Sequence, residues 1–219
     1  MKLIEFIEIV KPFTMTSEER VTKLFESLEY IRIKNIEGDL VECGVWKGGN
    51  ILGIMEYLSH YKMKDRNIWL YDTFTGMTNP DEIDIDFQNN SASDVLNANT
   101  FYKCISPLDE VKQNLKISNF PTDRLVYVVG DICETLNYEN NIPKKISLLR
   151  LDTDWYKSTK KEMEVLYPKL VNNGVLIVDD YGHWKGSKIA VDEYFINNKM
   201  EYKIEQIEQI DYSGIKLYK

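Results

Sequence analysis

Histidine occurs only twice in this chain of 219 residues, and cysteine three times. Cys43, Cys104 and Cys133 are odd in number and lack zinc-like spacing, so neither a disulfide framework nor a thiolate metal centre is expected. Free thiols fit a reducing compartment, and the expected location is cytoplasmic. Long apolar runs are missing too. No stretch approaches the ~18 apolar residues of a membrane span. The opening "MKLIEFIEIVKPF" is broken by acids where a signal peptide would stay apolar. Positive charge is scarce: 27 Lys and Arg stand against 35 Asp and Glu, a net charge of -8. No Lys/Arg cluster offers the basic surface that phosphate backbones need, so neither nucleic acid nor membrane is expected as a partner. Repeats and low-complexity tracts are also absent, and the charges are mixed along the chain, which argues against disorder.

With 43% hydrophobic residues, the chain can bury a full core, and its length suggests one domain over 1–219. From Asp39 onward, short apolar runs alternate with helical patterns. "DLVECGV" (39–45), "NIWLYDT" (67–73), "RLVYVVGD" (124–131), "ISLLRLD" (146–152) and "GVLIVDD" (174–180) read as buried parallel strands. "MEYKIEQI" and "GIKLYK" are expected to close the sheet as an antiparallel hairpin. The predicted fold is α/β: a Rossmann-like, doubly wound, mostly parallel sheet of about seven strands. Two parts fall outside the alternation. Residues 1–36 form an N-terminal helical segment, with a capped helix over 16–35. Residues 74–106 are polar and long for a connection, and are expected to act as a lid.

"VECGVWKGGN" joins the first strand to the first helix of the alternation, where α/β proteins bring a cofactor against the backbone. Its order, G-x-x-x-G-G, lacks the middle glycine of the nicotinamide fingerprint. Glu42, two residues before Gly44, suits positive charge or hydroxyls better than a pyrophosphate. Asp72 ends the second strand, where an acid can accept from ribose hydroxyls, and Asp131 ends the third, near the adenine end. Either could instead cap a helix. Together Glu42, Asp72 and Asp131 point to adenosine without a pyrophosphate. Val45, Trp46, Asn50, Thr73 and Ile132 are the expected cofactor neighbours.

The fourth and fifth strands stop on acids. Between Asp152 and Asp179 there is room for one helix and a return strand, so the two strands can lie side by side, ~4.8 Å apart. Asp152, Asp179 and Asp180 would then crowd one edge and repel unless a proton or cation intervenes. Hard oxygen donors without a Cys or His pair favour Mg²⁺ over zinc. Asp154 fits a helix cap best and is left out of this metal set. His183, in "DDYGHWKG", and Asp152 are the candidate bases. Trp155, Tyr156, Tyr181 and Trp184 suit the apolar faces of a sugar acceptor, and Lys185 could steady an anion.

"GDLVECGVWKGGN", "LYDTFTGM", "GDICETL", "LLRLDTDWYKST" and "VLIVDDYGHWKGSKIAVDEYF" occur in that order over residues 37–198. In these motifs the chain resembles the macrocin O-methyltransferase family, enzymes that use S-adenosylmethionine and a divalent ion to methylate sugar hydroxyls. The resemblance implies metal binding by Asp152, Asp179 and Asp180, and cofactor contacts by Glu42, Gly44, Asp72 and Asp131. Where macrolide-modifying members end the fourth strand "DGDLY", this chain reads "DTDWY", so a nucleotide-linked sugar or another small glycoside is expected as acceptor. The rival readings are a nicotinamide-dependent sugar oxidoreductase and a non-catalytic cofactor-binding scaffold. A homodimer or higher homo-oligomer is expected.

Overall fold

The computed structural model describes residues 1–219, except for the side chain of Thr100. Its centre is a sheet of seven strands: β1 (Asp39–Cys43), β2 (Ile68–Asp72), β3 (Leu125–Val129), β4 (Ile146–Leu151), β5 (Leu170–Val178), β6 (Glu208–Gln209) and β7 (Ile215–Tyr218). They lie in the order β3-β2-β1-β4-β5-β7-β6. The first five are mutually parallel, while β7 runs antiparallel to β5, and β6 antiparallel to β7. The chain winds outward from β1 through β2 to β3, then returns to lay β4 against the other side of β1. That reversal makes the β1/β4 crevice the topological switch point, where open α/β sheets bind ligands.

Alternation along the strands builds two cores. Leu40, Leu70, Leu148 and Ile177 face a layer containing α1 (Leu3–Val10), α2 (Glu18–Ile33), α3 (Gly49–His60) and α5 (Leu108–Leu115). Val41, Tyr71, Leu149 and Val178 face α7 (Tyr156–Val165) and α8 (Lys185–Asn197), with α6 (Ile132–Thr135) at the end of β3. The expected α/β fold is therefore observed, with helices on both faces. Local signals place the elements as the sequence suggests. Ser17 caps α2, its hydroxyl accepting from the Arg20 amide at 3.3 Å, and Gly48 takes the left-handed φ of 83° that turns the chain into α3.

One strand differs from expectation. Residues 201–206 of "MEYKIEQI" form a 3-10 turn, and only Glu208–Gln209 pairs with β7. Lys203 is buried there and donates to the Tyr218 carbonyl at 2.8 Å, so this segment packs across the sheet edge rather than extending it. The insertion 74–106 carries α4 (Ala92–Ala98), a 3-10 turn (Thr100–Lys103) and two isolated bridges, Ile85 with Ser91 and Asp86 with Trp184. No helix among the described residues is long and apolar enough to cross a membrane.

Candidate functional site

The strand register brings the carboxyl ends of β1, β4 and β5 level. Glu42 pairs with Arg150, and Arg150 with Ile177. Since every second residue shares a face, Glu42, Arg150 and Asp179 project to the same side as Leu40, Leu148 and Ile177. Arg150 is the hub of this row. Its guanidinium donates to Glu42 Oε1 at 2.8 Å, Asp152 Oδ2 at 2.7 Å, Thr16 Oγ1 at 3.1 Å and Asp179 Oδ1. Despite complete burial, the carboxylates of Asp152, Asp179 and Glu42 hold Arg150 firmly protonated. From α2, Arg20 donates to the other oxygen of Asp179 and, at 2.7 Å, to Asp211.

This pairing sets Asp179 apart from the other expected metal ligands. Asp179 is engaged through both oxygens by two arginines, so no oxygen of its carboxylate is free of a cation partner. The residues that converge are Asp152, Asp154 and Asp180, each offering one oxygen within 4.8 Å of the others. Asp179 and Asp180 follow the end of β5, the first taken by the two arginines and the second offering its oxygen to the cluster. Asp154 joins the cluster because its φ of 68° turns the chain back after β4. Its role as the cap of α7, expected from sequence, is taken by a different residue, Asp84, whose Oδ1 accepts from the Tyr156 amide at 2.7 Å.

Burial pushes all three clustered carboxyls up: Asp154 to about 7, and Asp152 and Asp180 well above the carboxylate range. Arg150 opposes the rise at Asp152, while Asp154 and Asp179 add to it at Asp180. The Asp154 carboxyl meets Asp180 and Trp184, and Asp180 also meets Ser213 Oγ at 3.5 Å. Hard oxygens crowded this closely, with no cationic side chain on Asp154, fit a divalent cation. Behind them, Glu162 is fully buried, accepts from Thr153 Oγ1 at 2.8 Å, and is pushed by burial up to about 8.

A cavity of about 480 Å³ opens over these strand ends. All nine expected cofactor residues line it: Glu42, Gly44, Val45, Trp46, Asn50, Asp72, Thr73, Asp131 and Ile132. A Cβ at Gly44 would overlap the Asp152 carbonyl, so only glycine lets the cofactor turn lie against the acidic loop. Asn50 donates to Glu42 Oε1 at 2.9 Å, leaving Glu42 Oε2 and Asn50 Oδ1 buried without partners. Two orphaned acceptors in a buried turn fit a ligand carrying an ammonium or hydroxyl group. Asp72 accepts from the amides of Val45, Trp46 and Phe74 at 2.8, 3.1 and 2.7 Å, and Asp131 accepts from the Cys133 amide at 2.8 Å, capping α6. Both acids thus cap local backbone while lining the cavity.

The acceptor candidates divide. Trp155 and Trp184 line the cavity and meet edge to face, with centroids 5.0 Å apart. His183 lines it as well, with Nδ1 3.5 Å from the Tyr212 hydroxyl, and burial lowers its pKa. Three others are placed elsewhere. The Tyr156 hydroxyl reaches Glu193 at 2.7 Å, the Tyr181 hydroxyl reaches Asp192 at 2.6 Å, and Lys185 bonds Asn89, none of them lining the cavity. Tyr156 and Lys185 are the first residues of α7 and α8, and Tyr181, in the turn before α8, is buried in the core. Sequence reasoning missed Arg150, Arg20 and the segment Phe13–Thr16, which also lines the cavity. For Arg150 a signal existed: a lone cation inside the apolar run "ISLLRL".

Comparison with known proteins bears on family and fold. Residues 10–218 match the family model described as Macrocin-O-methyltransferase (TylF). The demethyldecarbamoylnovobiocin O-methyltransferase of Streptomyces niveus is 31% identical over 182 residues, 83% of this chain and 67% of that one. A tetracenomycin-C rhamnosyl 4'-O-methyltransferase of Streptomyces olivaceus is 28% identical over 207 residues, 92% of this chain and 74% of that one. Among solved structures, the O-methyltransferase NovP superposes with a TM-score of 0.80 at 27% identity, covering 94% of this chain and 82% of its own. The calicheamicin methyltransferase CalS11, at 19% identity and a TM-score of 0.67, shares the fold. The family match displaces the nicotinamide and scaffold readings: the chain belongs to the macrocin-O-methyltransferase (TylF) family and is an S-adenosylmethionine-dependent O-methyltransferase.

Proposed function

We propose that this enzyme methylates a hydroxyl of a sugar carried on an uncharged glycoside, with a divalent cation held by Asp152, Asp154 and Asp180. The observation that carries the reading is the convergence of three carboxylates, each with an oxygen to offer, in the cavity that also holds the Glu42–Asn50 turn. S-adenosylmethionine supplies an activated methyl group, and a cation such as Mg²⁺ supplies positive charge beside the acceptor oxygen. The protein's work is then alignment and proton removal. Glu42, Asn50 and Asp72 would hold the cofactor in the β1 turn. His183, neutral near pH 7 because burial lowers its pKa, would accept the hydroxyl proton at Nε2, the nitrogen turned away from Tyr212. Asp152 serves less well as base, since one of its oxygens is committed to Arg150.

The cavity's charge supports a glycoside over a nucleotide-linked sugar. Eight carboxylates line it (Glu42, Asp72, Asp86, Asp131, Asp152, Asp154, Asp179 and Asp180), and its one arginine, Arg20, is taken by Asp179 and Asp211. A diphosphate would add negative charge where no cationic side chain waits for it. Exposed rings at the rim, Phe87 and Tyr212, 5.8 Å apart, offer an apolar aglycone a surface instead. Relatives named for methylating glycosylated antibiotics are in keeping with this choice.

The test is methyl transfer from S-adenosylmethionine to matched pairs of acceptors, the same sugar as a nucleoside diphosphate ester and as an aryl or alkyl glycoside, followed by mass spectrometry. The glycoside is expected to gain one methyl group, and excess chelator to stop turnover without weakening S-adenosylhomocysteine binding. Preferred methylation of the nucleotide sugar would overturn the acceptor class. Undiminished turnover in chelator would remove the cation.

A further inference from the structure

The insertion 74–106, expected to be a lid, grips the acidic cluster from behind. Asp84 is 1% exposed and uses both carboxylate oxygens: Oδ1 accepts from the Tyr156 amide at 2.7 Å, and Oδ2 from the Asp81 amide at 2.8 Å. Tyr156 is the first residue of α7, and the residue at that helix's own cap position, Trp155, provides no side-chain cap. An orphan amide at a helix start, and the positive end of the helix dipole, are thus met by an acid 72 residues away in sequence.

Asp84 and the two residues after it, Ile85 and Asp86, also hold the second acid-bearing loop. The Ile85 carbonyl accepts from the Lys185 amide at 2.9 Å, and Asp86 forms a β-bridge with Trp184. Gly186, in the first turn of α8, lies so close that a Cβ there would overlap Asp84 Oδ1. Trp155 Nε1 donates to the Thr78 carbonyl at 3.0 Å, and Trp155 packs with Trp184 and Ala92 of the insertion. Asp154 precedes Trp155 by one residue, and Asp180 precedes Trp184 by four. A single segment, 84–86, therefore fixes both limbs on which the clustered carboxylates stand.

We propose that Asp84 is a positioning residue, the clamp that sets Asp154 and Asp180 within reach of one ion. Its role in ion binding rests on the cation reading given above, and its role as a clamp does not. A helix cap alone would steady α7 and leave the β5–α8 loop untouched. The clamp couples the two loops.

The experiment compares full-length wild type with Asp84→Ala, Asp84→Asn and Gly186→Ala, reading three quantities. These are amide hydrogen exchange over 152–158 and 180–186, Mn²⁺ affinity by calorimetry, and S-adenosylhomocysteine affinity as the check on folding. Asp84→Ala is expected to speed exchange in both segments and to weaken Mn²⁺ binding roughly tenfold or more, as lost outer-shell partners do. S-adenosylhomocysteine affinity should change by no more than about twofold, because the Glu42–Asn50 turn does not touch the insertion's clamp. Asp84→Asn keeps one acceptor for the Tyr156 amide and should recover part of the loss. Gly186→Ala, which displaces the carboxylate without removing it, should resemble Asp84→Ala and serves if that variant fails to fold. Faster exchange confined to 152–158, or unchanged Mn²⁺ affinity in a variant of a Mn²⁺-binding wild type, would overturn the proposal. If the wild type binds no Mn²⁺, the cation reading falls, and exchange in the two segments alone decides whether Asp84 is the clamp.

Discussion

Arg150, itself buried, holds three carboxylates: Glu42 and Asp179, also buried, and Asp152, which faces the cavity. A buried ion cluster adds little net stability when complete, but losing one partner leaves charges with nothing to balance them. Arg150→Met, similar in length and apolar, is therefore expected to cost ~3–5 kcal/mol in urea unfolding. It should also weaken cofactor binding through Glu42. A loss under about 1 kcal/mol would mean that the carboxyls simply take up protons in its place. Asp179→Asn should behave as a stability variant, because Asp179 faces Arg150 and Arg20, whereas Asp154→Asn should cost cation affinity and little stability. Reversed outcomes in calorimetry and unfolding would restore the assignment expected from sequence. The acids that stop β4 and β5 were legible as a cluster, since strand ends and their order follow from apolar runs. Which of two consecutive aspartates turns inward was not, because it depends on where each strand's last residue falls, and a cation beyond the run's centre had no visible partner.

At the scale of elements, the N-terminal segment is pressed onto α3 through two glycines. A Cβ at Gly49 would come within 2.7 Å of the Phe13 carbonyl, and one at Gly53 within 2.5 Å of Val10 Cγ2 and 2.8 Å of the Phe6 ring. Phe13 to Thr16 then line the cavity, and Thr16 reaches Arg150. Gly53→Ala should push α1 away at a cost of ~1–3 kcal/mol, the usual range for overpacking. Protease cleavage between residues 10 and 18 should quicken, and S-adenosylhomocysteine binding should weaken. An alanine variant with native protease resistance would show that α1 can yield without moving the segment. The segment 1–36 was readable as helical, with the cap at Ser17 visible in "TSEER"; the bounds of α1 were not, because a short helix takes its stability from the partner it packs on rather than from its own residues. The same holds for the insertion: its polar composition suggested a cover, whereas its fastening depends on contacts from Thr78, Asp84 and Asp86 to segments far along the chain.

Over the whole molecule, the acidic cluster ties stability to pH and, on the proposed reading, to divalent ions. Asp154 has a folded pKa raised to about 7, above the ordinary carboxyl value of 3.8. Its protonation therefore favours the fold at low pH, and that contribution is lost as pH rises through about 7. Glu162, raised to about 8, acts in the same sense. A bound cation would replace the missing protons, so it should matter most on the alkaline side. At about pH 8, Mg²⁺ at roughly a hundred times its Kd should add ~3 kcal/mol and raise Tm by ~5–10 °C. At about pH 5 the rise should nearly vanish, since protons then compete for the same oxygens. Equal shifts at both pH values, followed by scanning fluorimetry, would place the ion elsewhere.

The hairpin of β6 and β7 stands beside β5, and its turn reaches back into the centre. Ser213 Oγ donates to the Asp179 carbonyl at 2.8 Å, the Gly182 amide donates to the Ser213 carbonyl at 2.8 Å, and Asp211 shares Arg20 with Asp179. During translation these residues leave the ribosome after all five parallel strands. A nascent polypeptide that had exposed only those strands would still lack the brace on its β5 tip and the Asp211 carboxylate that shares Arg20.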